Sequence, residues 1–304
     1  MFAPIEPFAF GMLAVADGNS IYWECSGNPV GKPVLHLHGG PGAGMGAGYR
    51  RRFDPDRHLI VGYEQRGCGR SRPLVTDDMS SLAANNTENL INDIEALRQH
   101  LDVDRWLLAG VSWGTTLALA YAQTYPERVS EMVLLAITLT SASAVEWITE
   151  TVGCLFPVEW DAYRAAANPR PGQRLVDAYY ELLTDPDPAV RVRAAIAWDR
   201  WENAHISLDP HQQPGAQFID PTQRQVFATL VVHLLETCRL PARRSFAEWN
   251  DATSQHPRRA HPRQARHQRS RRDGVAAAQT VVDQSVHSDR RRGTRWTKDD
   301  RGDG

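Results

Sequence analysis

Up to residue 139, short apolar runs alternate with amphipathic ones. VLHLHG (34–39) is a β-branched, apolar run ending in glycine, the pattern of a buried strand. LIVGYEQ (59–65) and RWLLAG (105–110) have the same character, and VSEMVLLAI (129–137) gives a fourth strand. Between them, NNTENLINDIEALRQHL (85–101) places Leu90, Ile91, Ile94 and Leu97 on one face of a predicted helix. TTLALAYAQTYP (115–126) carries Leu117, Ala120, Tyr121 and Thr124 at helical spacing, and Pro126 closes it. Strand, helix, strand, helix, strand is the rhythm of an α/β protein with a doubly wound sheet over residues 1–139.

Residues 140–233 change character. Tryptophans and helix formers dominate VEWITE, EWDAYRAAA, RLVDAYYELL, AVRVRAAIAWDRWENA and QRQVFATLVVHL, and no strand pattern occurs. The segment reads as an all-helical cap inserted over the sheet. From 234 to 304 the pattern is lost. Residues 241–304 contain no Leu, Ile, Met or Tyr, and RRAHPRQARHQRSRR (258–272) is basic and unpatterned. Taken literally, such a segment buries too little apolar surface to offset its conformational entropy, and disorder is expected.

The net charge of −2 conceals this division. Up to residue 233 there are 18 Lys+Arg against 27 Asp+Glu; from 234 onward there are 16 against 9. Of the basic residues, only Lys32 and Lys298 are lysines, the bias expected of GC-rich coding. No apolar run reaches membrane-spanning length, and MFAPIEPFAFGML lacks the basic and apolar regions of a signal peptide. Cys25, Cys68, Cys154 and Cys238 are scattered without a C-x-x-C, as in a cytoplasmic protein with reduced thiols and no metal site.

Gly110-Val111-Ser112-Trp113-Gly114 is a G-x-S-x-G pattern with a predicted strand before it and a helix after it. That is the context of a nucleophile elbow: the turn is tight, its flanking residues must be small, and the serine stands at a helix N-terminus. The Trp113 N–H and the helix dipole there favour a developing oxyanion. His38-Gly39-Gly40-Pro41-Gly42 follows the first strong strand, and the Gly40 N–H is the expected second donor. His38, at a strand–loop junction before the serine, reads as structural. Gln65-Arg66-Gly67-Cys68-Gly69-Arg70-Ser71 reads as a packed, hydrogen-bonded loop near the site. Cys68 is the alternative nucleophile, but nothing in the sequence pairs it with a histidine.

Together HGGPGAG, QRGCGRS, NNTENLINDIEALRQHL and GVSWGTTLALAYAQTYPERV resemble the proline iminopeptidases, serine peptidases of the α/β-hydrolase fold that release N-terminal proline. The resemblance runs from about residue 4 to 233. It implies short peptides as substrates, an acyl-enzyme intermediate and no cofactor. It departs at Glu64, where the family usually has aspartate. The family's W-x-x-W-E is matched by Trp198-Asp199-Arg200-Trp201-Glu202, which implies that Glu202 binds the substrate's free amino group, with cap aromatics beside the proline ring. A second cap glutamate of some members falls at Val231, which loosens the expected selectivity for proline.

The triad acid and histidine that the family places after the cap have no counterpart here. His256, His261, His267 and His287 all lie in the unpatterned tail. Asp273 and His287 make the best pair on paper, but neither follows a credible strand. A one-base shift near codon 234 accounts for this better. Read one base later, a back-translation of the tail permits HGKLD and DAGHGG, resembling the family's acid strand end and base loop. The permitted acid falls across codons 266 and 267, and the permitted histidine across codons 294 and 295. The chain as written is then expected to be nearly inactive and poorly soluble. Two other readings stand beside this one: another α/β-hydrolase such as an esterase or amidase, and a catalytically dead hydrolase whose basic tail binds nucleic acid. The tail's lack of periodic aromatics argues against nucleic acid as a partner. Sequencing the gene across codons 220–245 is expected to show one base fewer than this reading frame implies; an unchanged sequence overturns the frame account.

Overall fold

A computed structural model describes residues 1–206 and 220–237. The expected tail residues Asp273 and His287, with the rest of 238–304, lie outside the described residues. Six strands form one mixed sheet: β1 (Ala9–Ala14), β2 (Ser20–Gly27), β3 (Lys32–Leu37), β4 (His58–Tyr63), β5 (Trp106–Val111) and β6 (Val129–Leu135). Their order is β1-β2-β4-β3-β5-β6. β4, β3, β5 and β6 are parallel, and β2 and β1 add to one side as antiparallel strands. The four strands read from the sequence are the parallel ones. The antiparallel pair went unread, because Gly11 and the charged Glu24 break the apolar alternation there.

α1 (Thr87–His100) and α2 (Trp113–Thr124) cover one sheet face. Asn86 caps α1 by accepting a hydrogen bond from the Asn89 N–H at 2.9 Å. The expected stripe is buried: Leu90, Ile94 and Leu97 pack with Leu35, Trp106, Leu117 and Tyr121 in the main core. On the other face, Val34, Leu107 and Ala109 form a small cluster with Phe53.

Beyond β6 come α3 (Ala142–Thr149), α4 (Pro157–Ala167), α5 (Leu175–Leu183), α6 (Pro188–Ile206) and α7 (Pro221–Thr237). Among the described residues there is no strand after β6. These helices have their own core, in which Tyr163 stacks on Tyr179 at 4.5 Å and on Trp201 at 5.2 Å, with Trp198 edge-on. α7 runs to Thr237, past the expected boundary at 233, because Leu234 and Leu235 are buried.

A buried ion pair fastens the loops. Arg66 donates to both carboxylate oxygens of Asp93, at 2.8 and 2.6 Å, with both side chains at most 1% exposed. This ties the loop after β4 to α1. Removing one partner of such a pair strands a buried charge, which costs about 3–5 kcal/mol. Asp93→Ala is therefore expected to lower the unfolding free energy by that amount in urea titration. A loss below about 1 kcal/mol, the range of an exposed pair, overturns the assignment.

Candidate active site

The strand order reverses around β3, with β4 on one side and β5 on the other. In open α/β sheets, ligand crevices form at the carboxyl ends of strands at such a switch point. Pairing of Leu37 with Gly110 brings the ends of β3 and β5 level. The glycine-rich loop and the G-x-S-x-G turn therefore emerge side by side.

Ser112 adopts φ 52°, ψ −124° between β5 and α2, a left-handed conformation rare for a residue with a side chain. Its N–H donates to the Leu135 carbonyl at 3.0 Å, and its carbonyl accepts from the Thr115 N–H at 2.8 Å and hydroxyl at 2.7 Å. Thr116 anchors the same turn to the Thr138 carbonyl at 2.5 Å. The turn has no room for side chains. A Cβ at Gly110 would stand 2.5 Å from the Gly114 carbonyl oxygen, and one at Gly114 would collide with the Leu37 carbonyl. Trp113 opens α2 with its ring buried. Helix N-termini leave such N–H groups without intrahelical partners.

Gly39 lies against the elbow: a Cβ there would be 3.1 Å from Ser112 Cβ and 3.7 Å from its Oγ. Gly40 has φ 117°, a backbone that glycine alone adopts easily. The structure thus brings Ser112, Trp113 and the Gly39–Gly40 loop together. Glu202 lies on α6, part-buried. Burial, with the Asp199 charge in addition, pushes its carboxyl up to about 7. Trp198 and Trp201 are each 1% exposed inside the helical core. Val231 is buried in the same core.

His38 is engaged on both ring nitrogens: Nδ1 bonds the Gly39 carbonyl at 2.9 Å, and Nε2 accepts from the Gln65 N–H at 3.1 Å. Burial lowers its pKa, so it is a neutral brace for the loop. Cys68 has a histidine nearby after all, with Sγ 3.9 Å from His38 Nε2. But burial and the Glu64 charge push its thiol far up, and it donates to the Gln65 carbonyl at 3.2 Å. It is no nucleophile. Glu64 accepts from the Met45 N–H at 3.3 Å and from Arg70, clasping the glycine loop to the loop after β4. Beside it, buried Glu24 binds Arg50 at 2.6 and 2.8 Å and the Tyr49 hydroxyl at 2.7 Å. Nothing in the sequence pointed to this cluster, whose members are far apart along the chain.

Fold and elbow together define an α/β hydrolase, and a family model described as alpha/beta hydrolase fold matches residues 32–223. A probable proline iminopeptidase of Streptomyces coelicolor is 46% identical over 235 residues, covering 77% of this chain and 72% of that protein. A proline iminopeptidase of Xylella fastidiosa is 43% identical over 234 residues, covering 77% of this chain and 73% of the relative. One from Arabidopsis thaliana is 41% identical over 236 residues, covering 77% of this chain but 60% of its own length. The chain belongs to the proline iminopeptidase family.

The strained serine gives a test that needs no turnover. A side chain held at such a φ costs on the order of 1–3 kcal/mol. Ser112→Gly is expected to raise the unfolding free energy by about 1 kcal/mol. Gly114→Ala, forced against the Leu37 carbonyl, is expected to lower it by about 1–3 kcal/mol. A destabilised Ser112→Gly contradicts the strain.

Proposed function

We propose that this fold serves a serine aminopeptidase that releases N-terminal proline from short peptides in the cytoplasm, without metal or cofactor. The observation that carries the reading is Ser112 in its strained turn against the Gly39–Gly40 loop, in a chain of this family. Ser112 Oγ attacks the carbonyl carbon of the first residue. The Trp113 and Gly40 N–H groups receive the charge that develops on the oxygen. The C–N bond breaks, the amine leaves with a proton, and water hydrolyses the acyl ester. Glu202 holds the substrate's amino group; a part-buried carboxylate suits an ammonium. Residues 1–139 form the hydrolase core, 140–233 the cap, and 234–304 an out-of-frame tail.

The same reading limits this polypeptide. Among the described residues no side chain hydrogen-bonds Ser112 Oγ, so nothing there takes its proton. Loss of a triad member costs up to about 10⁶-fold in turnover, and what remains comes from oxyanion stabilisation and binding. The chain as written is therefore expected to cleave a proline arylamide about 10⁶-fold more slowly than a frame-restored protein. The restored protein is expected to prefer proline over alanine arylamides and simple esters. Full activity of the chain as written overturns the frame account, and preference for esters overturns the peptidase assignment.

Glu202 makes the pH dependence specific. Only its ionised form binds an ammonium, and burial has raised its carboxyl to about 7. In the restored protein KM is expected to rise as pH falls through about 7, while kcat changes less. Glu202→Gln is expected to raise KM and abolish that dependence. An unchanged KM in this variant removes Glu202 from substrate binding.

A further inference from the structure

Among the described residues, five outside glycine have a left-handed φ: Asp17, Asp102, Ser112, Ala136 and Asn168. Asp and Asn tolerate that region because their short polar side chains bond locally. Serine and alanine share little of that tolerance, so Ser112 (φ 52°) and Ala136 (φ 50°) are the strained pair. Such residues persist only where their surroundings over-determine them. These two belong to one unit. Val111 pairs with Leu135 at the ends of β5 and β6, so each strained residue is the next one after its strand. The Ser112 N–H carries the ladder one step further, to the Leu135 carbonyl at 3.0 Å.

Past Ala136 the backbone of Thr138 meets the first turn of α2, and Thr115 joins them. Its Oγ1 accepts from the Thr138 N–H at 3.0 Å and lies 2.7 Å from the Ser112 carbonyl oxygen and 3.2 Å from that of Thr138. A hydroxyl has one proton to give. The shorter contact takes it to Ser112, and the Thr138 carbonyl has Thr116 as its donor at 2.5 Å. Thr115 is fully buried, so water does not compete for these bonds. Helical threonines commonly bond a carbonyl three or four residues back. Thr124 and Thr149 do that alone, toward Ala120 and Val145. Thr115 differs in also accepting an N–H from 23 positions away.

The bond to Ser112 reaches the chemistry through one peptide unit. The Ser112 carbonyl and the Trp113 N–H share a planar, trans peptide and point in opposite directions. Whatever fixes the carbonyl oxygen aims that N–H.

We propose that Thr115 is a positioning residue for the oxyanion site: its hydroxyl, anchored on the backbone after β6, holds the Ser112 carbonyl and thereby aims the Trp113 N–H. This rests on the reading of Ser112 as nucleophile and the Trp113 N–H as oxyanion donor, and it adds the group that orients both. Thr115 acts through Ser112 and not on the substrate.

The first test needs no turnover and uses the full chain. The Ser112 N–H bonds Leu135 and not Thr115, so its exchange reports whether the hydroxyl holds the whole unit. In Thr115→Val, which keeps the side chain's shape, the amides of both Thr138 and Ser112 are expected to exchange about tenfold faster. Thr115→Ser is expected to restore both. Acceleration at Thr138 alone makes the bond a local one and overturns the proposal. If Thr115→Val does not fold, the unsubstituted chain decides. Its Ser112 and Thr138 amides are expected to open together, and a Thr138 amide more than about tenfold faster than that of Ser112 overturns the proposal.

The second test is turnover of a proline arylamide by the frame-restored protein. An oxyanion donor acts in the transition state, so Thr115→Val is expected to lower kcat about 10–100-fold and leave KM within about twofold. Thr115→Ser, which returns the hydroxyl, is expected to recover most of kcat. An unchanged kcat in Thr115→Val, or a loss that Thr115→Ser leaves in place, overturns the proposal. A restored protein with Thr115 intact that cleaves no arylamide refutes the peptidase reading instead, and the exchange measurements still decide the role of Thr115.

Discussion

Three backbone segments converge behind Ser112 at distances that admit no side chain, and the rest of the site depends on that convergence. Gly110 lies next to the end of β5, Gly114 lies in the first turn of α2, and Leu37 ends β3. Because Gly114 has no Cβ, α2 starts directly over β3. Because β3 and β5 are neighbours in register, the glycine loop that follows Leu37 reaches the serine. The left-handed φ of Ser112 follows from the same geometry, since the chain must reverse within one residue. Thr115 and Thr116, bonded to the carbonyl of Thr138, fix the turn from the β6 side. One packing constraint therefore orients Ser112, the helix dipole and the loop at once.

The loops around this point are held by a buried neutral histidine and by carboxylates that water barely reaches. His38 braces the glycine loop through Gln65, Glu64 clasps it through Met45 and Arg70, and Arg66 fastens the next loop to Asp93 on α1. Buried ion pairs add little net stability over apolar substitutes, because desolvation offsets most of their attraction. Their use here is geometric. A carboxylate with several fixed donors has one satisfied position, and the loops it joins inherit that position. α7 continues the arrangement toward the helical segment: Leu230 packs where Gly42 has no side chain, and His233 bonds the Asn85 carbonyl at 3.0 Å.

How much of this the sequence disclosed depends on the range of the interaction. The elbow was legible because its requirement is local: glycines two residues either side of a serine, a strand before and a helix after. The four parallel strands were legible from their continuous apolar character, and α1 from its stripe. The hairpin β1–β2 was not, because Glu24 reads as a strand breaker until Arg50 and Tyr49 are seen beside it. The same holds for Cys68, whose neighbour His38 is 30 positions away. The cap tryptophans show a related limit. A motif fixes which residues are present but not which way a helix turns them, and helix packing in the cap core faces Trp198 and Trp201 inward.

The composition of the elbow also bears on what the chain was shaped for. A non-glycine residue in the left-handed region costs on the order of 1–3 kcal/mol, a notable part of a typical stability of about 5–15 kcal/mol. Glycine at position 112 would satisfy the same turn without that cost, since neighbouring Gly110 and Gly114 already meet its steric demands. The serine hydroxyl gives nothing back to the fold, for it caps no backbone N–H of α2. A residue that strains the backbone and returns no bond is retained for its chemistry. The elbow thus carries a serine whose place in the turn is explained by no stabilising role.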